Sequence, residues 1–178
     1  VGFDEAFSGK PVTGSVSGID TGSIVQNGHR QDVMAVVLTG DNNNGSIAFI
    51  PLESSETAQS IHDRPLDLDV VVLTQAISDP VTGGMDAADD PAIWINPHNP
   101  DESLVLGADK GAGLGVYDLS GKLLQFLPDG RINNVDVRAS VSNNPLLAHI
   151  AVGSDRTNYA LAIYAIDPVP RLVRRVDD

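Results

Sequence analysis

The sequence predicts an all-β fold of short antiparallel strands, and three observations lead to that prediction. Hydrophobic residues make up 42% of the 178 residues but aromatic residues only 4%, and the 17 glycines and 11 prolines favour strands and turns over long helices. After residue 85, short apolar runs alternate with turn-forming residues. A short motif also recurs at a fixed spacing, which indicates repeated structural units.

The apolar runs place strands along most of the chain. Residues 1–31 are rich in Gly, Ser, Thr and Asp and predict only weak strands and loops. The runs at 33–38 and 46–52 flank turn-forming residues and predict a hairpin, whereas the polar stretch 53–65 predicts a linker or a short helix. Further strands are predicted at 70–73, 92–95, 104–108, 114–117, 123–126, 135–138, 148–153 and 160–166.

An internal repeat indicates how these strands are grouped. The segment 106–110 (LGADK) recurs as 152–156 (VGSDR) 46 residues later, and 116–119 (VYDL) recurs as 163–166 (IYAI) 47 residues later. A period of this length with four short strands is typical of β-propeller blades. We therefore predict about two antiparallel four-stranded blades in residues 76–178. The hairpin at 33–52 does not share the period, so residues 1–75 are predicted to be a separate β-rich segment, such as the end of a preceding propeller-like unit.

The charge of the chain restricts its partners. A formal net charge of −13 would repel nucleic-acid backbones and anionic membranes, so we expect neither as a partner. Cations are the natural counterpart, although the same acidity would also keep an extracellular protein soluble. The absence of cysteine excludes disulfides and thiolate zinc sites, and the four histidines lack the HExxH spacing of zinc enzymes.

Two basic residues follow the repeated motif, and the repeat predicts that they lie near each other. Lys110 and Arg156 occupy equivalent positions of consecutive blades, so they are expected at the same end of the channel. Together they form a candidate phosphate site, with bidentate bonds from Arg and a point charge from Lys. The alternative is that both are solvated charges at strand ends. Asp89 and Asp90, before Pro91, offer carboxylate oxygens of the kind that calcium binds, although Asp is also common in turns.

A series of short motifs lies between residues 86 and 167. They are 86–94 (DAADDPAIW), 99–100 (NP), 109–110 (DK), 113–114 (GL), 116–117 (VY), 121–122 (GK), 133–138 (NNVDVR) and 163–167 (IYAID). In this order and at these spacings they closely resemble the β-propeller phytases, a family of calcium-dependent 3-phytases. The resemblance covers about residues 85–168 and does not extend into residues 1–75.

The resemblance implies a six-bladed propeller that hydrolyses phytate, with calcium ions between the enzyme and the substrate phosphates and a metal-bound water attacking phosphorus. It aligns Asp89 with a carboxylate ligand of the active-site calcium, and Lys110 and Arg156 with phosphate-binding residues. We interpret these three as the catalytic group. Two departures from the family pattern, Gly111 in place of a second Lys and Asp155 in place of a frequent Asn, predict reduced phosphate affinity.

The resemblance also implies a second, structural calcium site. Asp90 and the backbone carbonyls of Pro91 and Val135 align with ligands of a calcium ion that stabilises the fold. With Asp89, these residues are the predicted metal-binding set. They make physical sense on an acidic chain, because calcium neutralises a polyanionic substrate that the protein would otherwise repel.

The sequence supports two hypotheses about function. The first is a secreted phosphomonoesterase, extracellular or periplasmic, that releases phosphate from phytate or other phosphate esters with calcium as cofactor. The second is a non-catalytic calcium-binding module of propeller-like or filament-forming type. About two blades are fewer than closed propellers have, so the later blades, with most of the family's remaining calcium ligands and its catalytic tyrosine, are expected to be missing. Open strand edges then predict self-association or a complementing fragment.

Overall fold

The computed structural model describes residues 15–26, 29–39, 45–52, 72–73, 87–139 and 144–177, and this part of the chain is built from β-strands. The strands are β1 (Ser15–Gln26), β2 (His29–Thr39), β3 (Gly45–Leu52), β4 (Val72–Leu73), β5 (Ala88–Trp94), β6 (Leu104–Asp109), β7 (Gly113–Asp118), β8 (Leu123–Leu127), β9 (Ile132–Ala139), β10 (His149–Asp155), β11 (Ala160–Asp167) and β12 (Leu172–Arg175). Helical structure in the described residues is limited to the 3-10 turns Pro100–Glu102 and Pro145–Leu147. None of it is long and apolar enough to span a membrane.

The strands form three antiparallel sheets of four strands each. Their orders are β1-β2-β3-β4, β5-β6-β7-β8 and β12-β11-β10-β9, and we call them the first, second and third sheets. In every sheet, each strand pairs with the strand that follows it in sequence. This is the arrangement of propeller blades, so the predicted all-β fold with antiparallel four-stranded blades is confirmed.

The repeat found in the sequence occupies equivalent places in the second and third sheets. Its first motif ends the second strand of each sheet, β6 and β10, and its second motif lies in the third strand, β7 and β11. The first sheet has the same four-strand order although it lies in the segment that was set apart as residues 1–75. The division of the chain at residue 75 stays a prediction.

Several observed strands differ from the predicted strands, and β2 and β9 begin four and three residues before the predicted runs at 33 and 135. β1 is a continuous 12-residue strand where only weak strands and loops were predicted, and it is held by pairing with β2 along its whole length. β5 begins at Ala88 rather than at residue 92, because its ladder with β6 continues through an irregular step. β12 has four residues and was not predicted. Of the predicted turn at 40–45, only Gly45 is described, and it begins β3, whereas the predicted linker at 53–65 lies outside the described residues.

Apolar side chains pack in two clusters between the sheets. One joins the first and second sheets and includes Val33, Val37, Ile47, Val105 and Tyr117. The other joins the second and third sheets, and its larger members are Trp94, Leu104, Leu106, Leu114, Val116, Ile132, Tyr164, Ile166 and Val173. β6 is buried at all six positions because it is covered on both faces, which explains its unbroken apolar run. Each large side chain buried in this way stabilises the fold by about 1.5–3 kcal/mol.

Hydrogen bonds from side chains to the backbone connect neighbouring sheets. Asp20 Oδ2 on β1 accepts the Ile93 N–H of β5 at 2.9 Å. Gln125 on β8 makes two bonds to Val173 on β12: its amide Nε2 donates to the carbonyl oxygen at 2.7 Å, and its Oε1 accepts the N–H at 3.1 Å. These bonds fix how the strands of adjacent sheets are placed along one another.

Candidate functional site

The two acidic residues singled out in the sequence lie in a β-bulge of β5. Ala88 pairs with Asp109 and Pro91 pairs with Gly107, so β5 has one residue more than β6 between these pairs. In a regular strand, consecutive side chains point to opposite faces, whereas a bulge changes their direction and ends regular pairing. The sequence placed these acids before a strand that Pro91 begins, but the structure places them inside the strand.

Asp89 forms an ion pair with Lys110 at this bulge. The Lys110 Nζ lies 3.0 Å from Asp89 Oδ1, and Asp89 is only 8% exposed. Lys110 follows the last residue of β6, and its backbone N–H donates to the Ala87 carbonyl oxygen at 2.7 Å. Lys110 is therefore held next to β5 by its side chain, through the ion pair, and by its backbone, through the hydrogen bond. Two of the predicted catalytic residues are in direct contact.

Asp90 extends toward the third sheet. Its Oδ2 accepts the backbone N–H of Val135 on β9 at 3.1 Å. Burial is the main reason why the pKa of Asp90 is raised above the usual value, and the negative charges of Asp89, Asp20 and Asp136 raise it further. The hydrogen bond from Val135 acts in the opposite direction. Negative charge is thus concentrated around a partly desolvated carboxylate.

The third sheet contains a second bulge of the same kind. Ile132 pairs with Asp155 and Val135 with Gly153, which leaves one extra residue in β9 and places Asn133 and Asn134 where β5 has Asp89 and Asp90. Arg156 then corresponds to Lys110: its Nη1 donates to Asn133 Oδ1 at 2.9 Å. The Arg156 backbone N–H donates to the carbonyl oxygen of Arg131, which is the counterpart of the bond from Lys110 to Ala87.

A buried aspartate ends the second strand in both sheets. Asp109 is 0% exposed and Asp155 is 2% exposed, and Oδ1 of each accepts the backbone N–H groups two and three residues further on. These bonds fix the turn in which Lys110 or Arg156 lies. They explain why Asp precedes the basic residue in both copies of the repeat.

Asp155 also belongs to an ion-pair network in the third sheet. Arg175 Nη2 lies 3.1 Å from Asp155 Oδ2, and the same guanidinium bonds to Asp177. Hydrogen bonds from the Asn158 side chain, from the backbone of the turn and from Arg175 lower the pKa of Asp155, although burial acts in the opposite direction. The hydrogen bond from Arg175 is also the main reason why the pKa of Asp177 is lowered. The departure from the family pattern at residue 155 therefore gives a buried carboxylate with a cationic partner.

The structure brings the predicted site residues together in part. Asp89 contacts Lys110, and Asp90 contacts Val135 through the backbone N–H. Pro91 is buried in β5 beside Asp90. Arg156 lies at the corresponding end of the neighbouring sheet, where its contact is Asn133. The catalytic and metal-binding roles assigned to these residues stay predictions.

Two residues of the site were missed by the sequence reasoning. Asn133 corresponds to Asp89 at a spacing of 44 residues rather than 46, because the ladder between the first and second strands continues for one more residue pair in the third sheet. An alignment of the repeat extended upstream with a gap would have found it. Asp20 approaches Asp90 from the first sheet, and no motif in the sequence marks it.

The donor atoms at the bulge fit calcium as part of a ligand set. Calcium takes six to eight oxygens from carboxylates, backbone carbonyls and water. Asp89 and Asp90 supply carboxylate oxygens, and Asp20 and Asp136 add negative charge near Asp90 that a cation would relieve. Within the described residues, no three His, Cys, Asp or Glu side chains are grouped closely enough to hold a metal ion by themselves. Backbone carbonyls and water would have to complete the coordination.

Successive antiparallel four-stranded sheets, two of which have a bulge in the first strand beside a basic residue that follows the second strand, define an all-β protein built from β-propeller-type blades. A family model named phytase matches residues 45–178. The chain is also 38% identical, over 122 residues and 67% of its length, to a 3-phytase of Bacillus subtilis (strain 168). The chain therefore belongs to the phytase family. It spans about a third of the length of that relative, since the matched part is 32% of it.

Proposed function

We propose that this chain provides phosphate- and calcium-binding residues of a phytase, a phosphomonoesterase that releases phosphate from phytate. The family match and the 3-phytase relative support the reaction class. The repeated bulge is the single observation that supports the site. It places Lys110 and Arg156 at equivalent ends of neighbouring sheets, each beside an oxygen of the first strand.

The residues of the site would have distinct tasks. Arg156 would bind phosphate oxygens through its guanidinium, and Lys110 would add a point charge. Asp89 would hold the calcium ion nearest the substrate. When bound, calcium lowers the pKa of a coordinated water and stabilises the charge that develops on the phosphoryl group. Asp90, with the carbonyl oxygens of Pro91 and Val135, would hold a second calcium that stabilises the junction between the second and third sheets.

The net charge explains why a cation is needed. Phytate carries many negative charges, and a chain with a formal net charge of −13 repels it at long range. Two basic side chains are too few to reverse that repulsion, and one of them is already paired with Asp89. Calcium at the bulge would release Lys110 from its carboxylate partner and add positive charge beside it.

The direct test is phosphate release from phytate by the chain, measured with calcium and with a chelator. We expect release only with calcium. Arg156→Ala should lower it roughly tenfold, the value of one hydrogen bond to a charged group. Arg138→Ala is the matched control, because Arg138 lies on β9 with an exposed side chain that is paired with Asp136. Release that is independent of calcium, or equal losses in the two variants, would contradict the proposal.

A second candidate is a calcium-binding module without turnover. One observation favours it: the matched part is 32% of the 3-phytase relative, so this chain corresponds to only part of that enzyme. Calorimetric titration with calcium and with inorganic phosphate separates the candidates. Binding of both ions without phosphate release supports the module, whereas release supports the enzyme.

The proposal extends to partners and location. In the third sheet, Leu161 on β11 and Leu172 on β12 are 62% and 44% accessible, so single apolar side chains of this sheet are open to a partner. We propose that copies of the chain self-associate there, or that another fragment covers it, and that the protein acts outside the cytoplasm. Light scattering during size exclusion tests the first point, since a monodisperse monomer would contradict it. Fractionation of the producing cells tests the second.

A further inference from the structure

The first sheet approaches the Asp89–Asp90 bulge more closely than any side chain would permit. β1 has its own irregular step, between Val16 and Gly18, and Gly18 packs against the bulge of β5. A Cβ atom at Gly18 would lie 2.8 Å from Asp90 Cα and 2.9 Å from Pro91 Cδ, and it would also overlap the Asp89 carbonyl oxygen. Only a residue without a Cβ leaves the backbone of β5 where it is.

A hydrogen bond fastens the same two strands two residues further along. Asp20 Oδ2 accepts the Ile93 N–H at 2.9 Å, and its Oδ1 accepts the N–H of Thr21 on its own strand at 2.8 Å. Both carboxylate oxygens therefore have backbone partners, one on each strand. Gly18 limits how far β5 can move toward β1, and Asp20 limits how far it can move away.

These contacts fix the segment that carries the candidate site. The Asp89 side chain reaches Lys110 and the Asp90 side chain reaches Val135, and both side chains start from the backbone that Gly18 touches. A displacement of that backbone would change both distances together. β1 and β2 precede residue 45, where the family match begins, so this support comes from outside the matched segment.

We propose that β1 is a positioning element for the Asp89–Asp90 site, with Gly18 and Asp20 as its positioning residues. Its effect on calcium rests on the proposed function, whereas its effect on the geometry of the site does not. Residues that orient metal ligands from outside the coordination sphere commonly change metal affinity by roughly 10- to 100-fold when they are replaced. We expect Gly18→Ala to weaken calcium binding by about that factor.

The first experiment compares two glycines of β1. Gly22→Ala is the matched control, because a Cβ at Gly22 would lie 3.4 Å from Ile93 Cδ1, an ordinary van der Waals distance on the same partner strand. Calcium affinity is measured by calorimetry, and the Val135 amide resonance is followed by NMR as a metal-free report on the bond to Asp90. We expect losses and shifts in Gly18→Ala and wild-type behaviour in Gly22→Ala. Equal behaviour of the two variants would overturn the proposal.

The second experiment uses Asp20 and applies even if Gly18→Ala does not fold. Asp20→Asn keeps an acceptor oxygen for the Ile93 N–H, whereas Asp20→Ala removes it. Both variants remove the Asp20 charge that acts on Asp90, so we expect a larger shift of the Val135 amide resonance in Asp20→Ala than in Asp20→Asn. A folded Asp20→Ala whose Val135 amide shifts no further than in Asp20→Asn would overturn the proposal.

A third variant separates positioning from general destabilisation. Val33→Ala removes a buried side chain of β2 in the same sheet, at a cost of stability, and Val33 pairs with the control residue Gly22 rather than with Gly18. It should lower the melting temperature and leave the Val135 amide resonance at its wild-type position. A shift as large as that in Asp20→Ala would show that the resonance reports general destabilisation of the first sheet rather than positioning by Asp20. If the wild-type chain binds no calcium, the proposed function fails while the amide measurements still decide the role of β1.

Discussion

The second and third sheets have the same backbone arrangement at the first strand, but they carry different side chains there. In both, a bulge in the first strand faces a basic residue that follows the second strand. The second sheet pairs Lys110 with the carboxylate of Asp89, so the charges cancel, whereas the third pairs Arg156 with the neutral amide of Asn133. The backbone thus fixes where the cationic group lies, and the residue at the bulge decides how much of its charge is left for a ligand.

The sheets also differ in how the buried aspartate behind the basic residue is balanced. In the third sheet, Asp155 is bonded to Arg175. In the second sheet, the charge of Asp109 acts on the buried phenol of Tyr117, whose pKa is raised mainly by burial and further by that carboxylate. The turn is the same, but its stability depends on different neighbours, so substitutions at equivalent positions should have unequal consequences.

The largest effect is expected at Asp155. Asp155→Ala removes one partner of a buried ion pair and the acceptor of the turn, and such changes cost about 3–5 kcal/mol. Urea unfolding followed by circular dichroism measures the loss. Asp136→Ala is the control, since its exposed pair with Arg138 should contribute less than about 1 kcal/mol. Similar losses in the two variants would show that the buried network of Asp155 contributes no more than an exposed ion pair.

Acid should remove part of the same stabilisation. The pKa values of Asp155 and Asp177 are lowered in the folded chain, so their ionised forms favour folding at every pH above the unfolded value of 3.8. That contribution is lost as the pH falls below about 4 toward the lowered folded values. Melting temperatures across this range should fall less steeply in Asp155→Asn than in the wild type. Parallel curves would contradict the assignment.

An intermediate loss of stability is expected when the hydrogen bonds between the second and third sheets are removed. Gln125→Ala removes two hydrogen bonds to the backbone of Val173, each contributing about 0.5–1.5 kcal/mol net. The free energy of unfolding should fall by roughly their sum, about 1–3 kcal/mol. Leu124→Ala, a partly exposed neighbour on β8, should cost less. If Leu124→Ala costs as much, burial on β8 matters more than the bonds of Gln125.

The side chains that distinguish the two bulges, Asp89 and Asn133, can be interchanged by mutation. Asn133→Asp gives Arg156 a carboxylate partner and should weaken binding of inorganic phosphate roughly tenfold, whereas Asp89→Asn should strengthen phosphate binding by Lys110 when calcium is absent. Calorimetry with phosphate in the presence of a chelator measures both. Changes of the same sign in the two variants would show that the bulge residue does not set the available charge.

The fold could be predicted from the sequence because each strand pairs with a strand close to it in sequence and because the repeat is regular. The short apolar runs predicted β6, β7, β8 and β11 to within two residues, and the spacing between LGADK and VGSDR predicted equivalent second strands. β1 was predicted only weakly, because small and polar residues dominate it and its stability comes from pairing with β2. Such non-local pairing leaves little trace in local composition.

The candidate site was predictable as a set of residues but not as a geometry. The motif DAADDP drew attention to Asp89 and Asp90, and the repeat drew attention to Lys110 and Arg156. The bulge depends on strand register, which no periodicity of side chains records. Asp20 lies 70 residues from Asp90, and only the folded sheets bring it near.

The carboxylate of Asp90 takes part in two features of the molecule. Oδ2 already accepts the Val135 N–H, so one carboxylate contributes both to the junction of the second and third sheets and to the electrostatic field at the bulge. Binding at such a shared group obeys reciprocity: an ion that prefers the joined sheets must, by the same free energy, resist their separation. The coupling between the cohesion of the sheets and the binding of such an ion would therefore be one free energy, whichever of the two is measured.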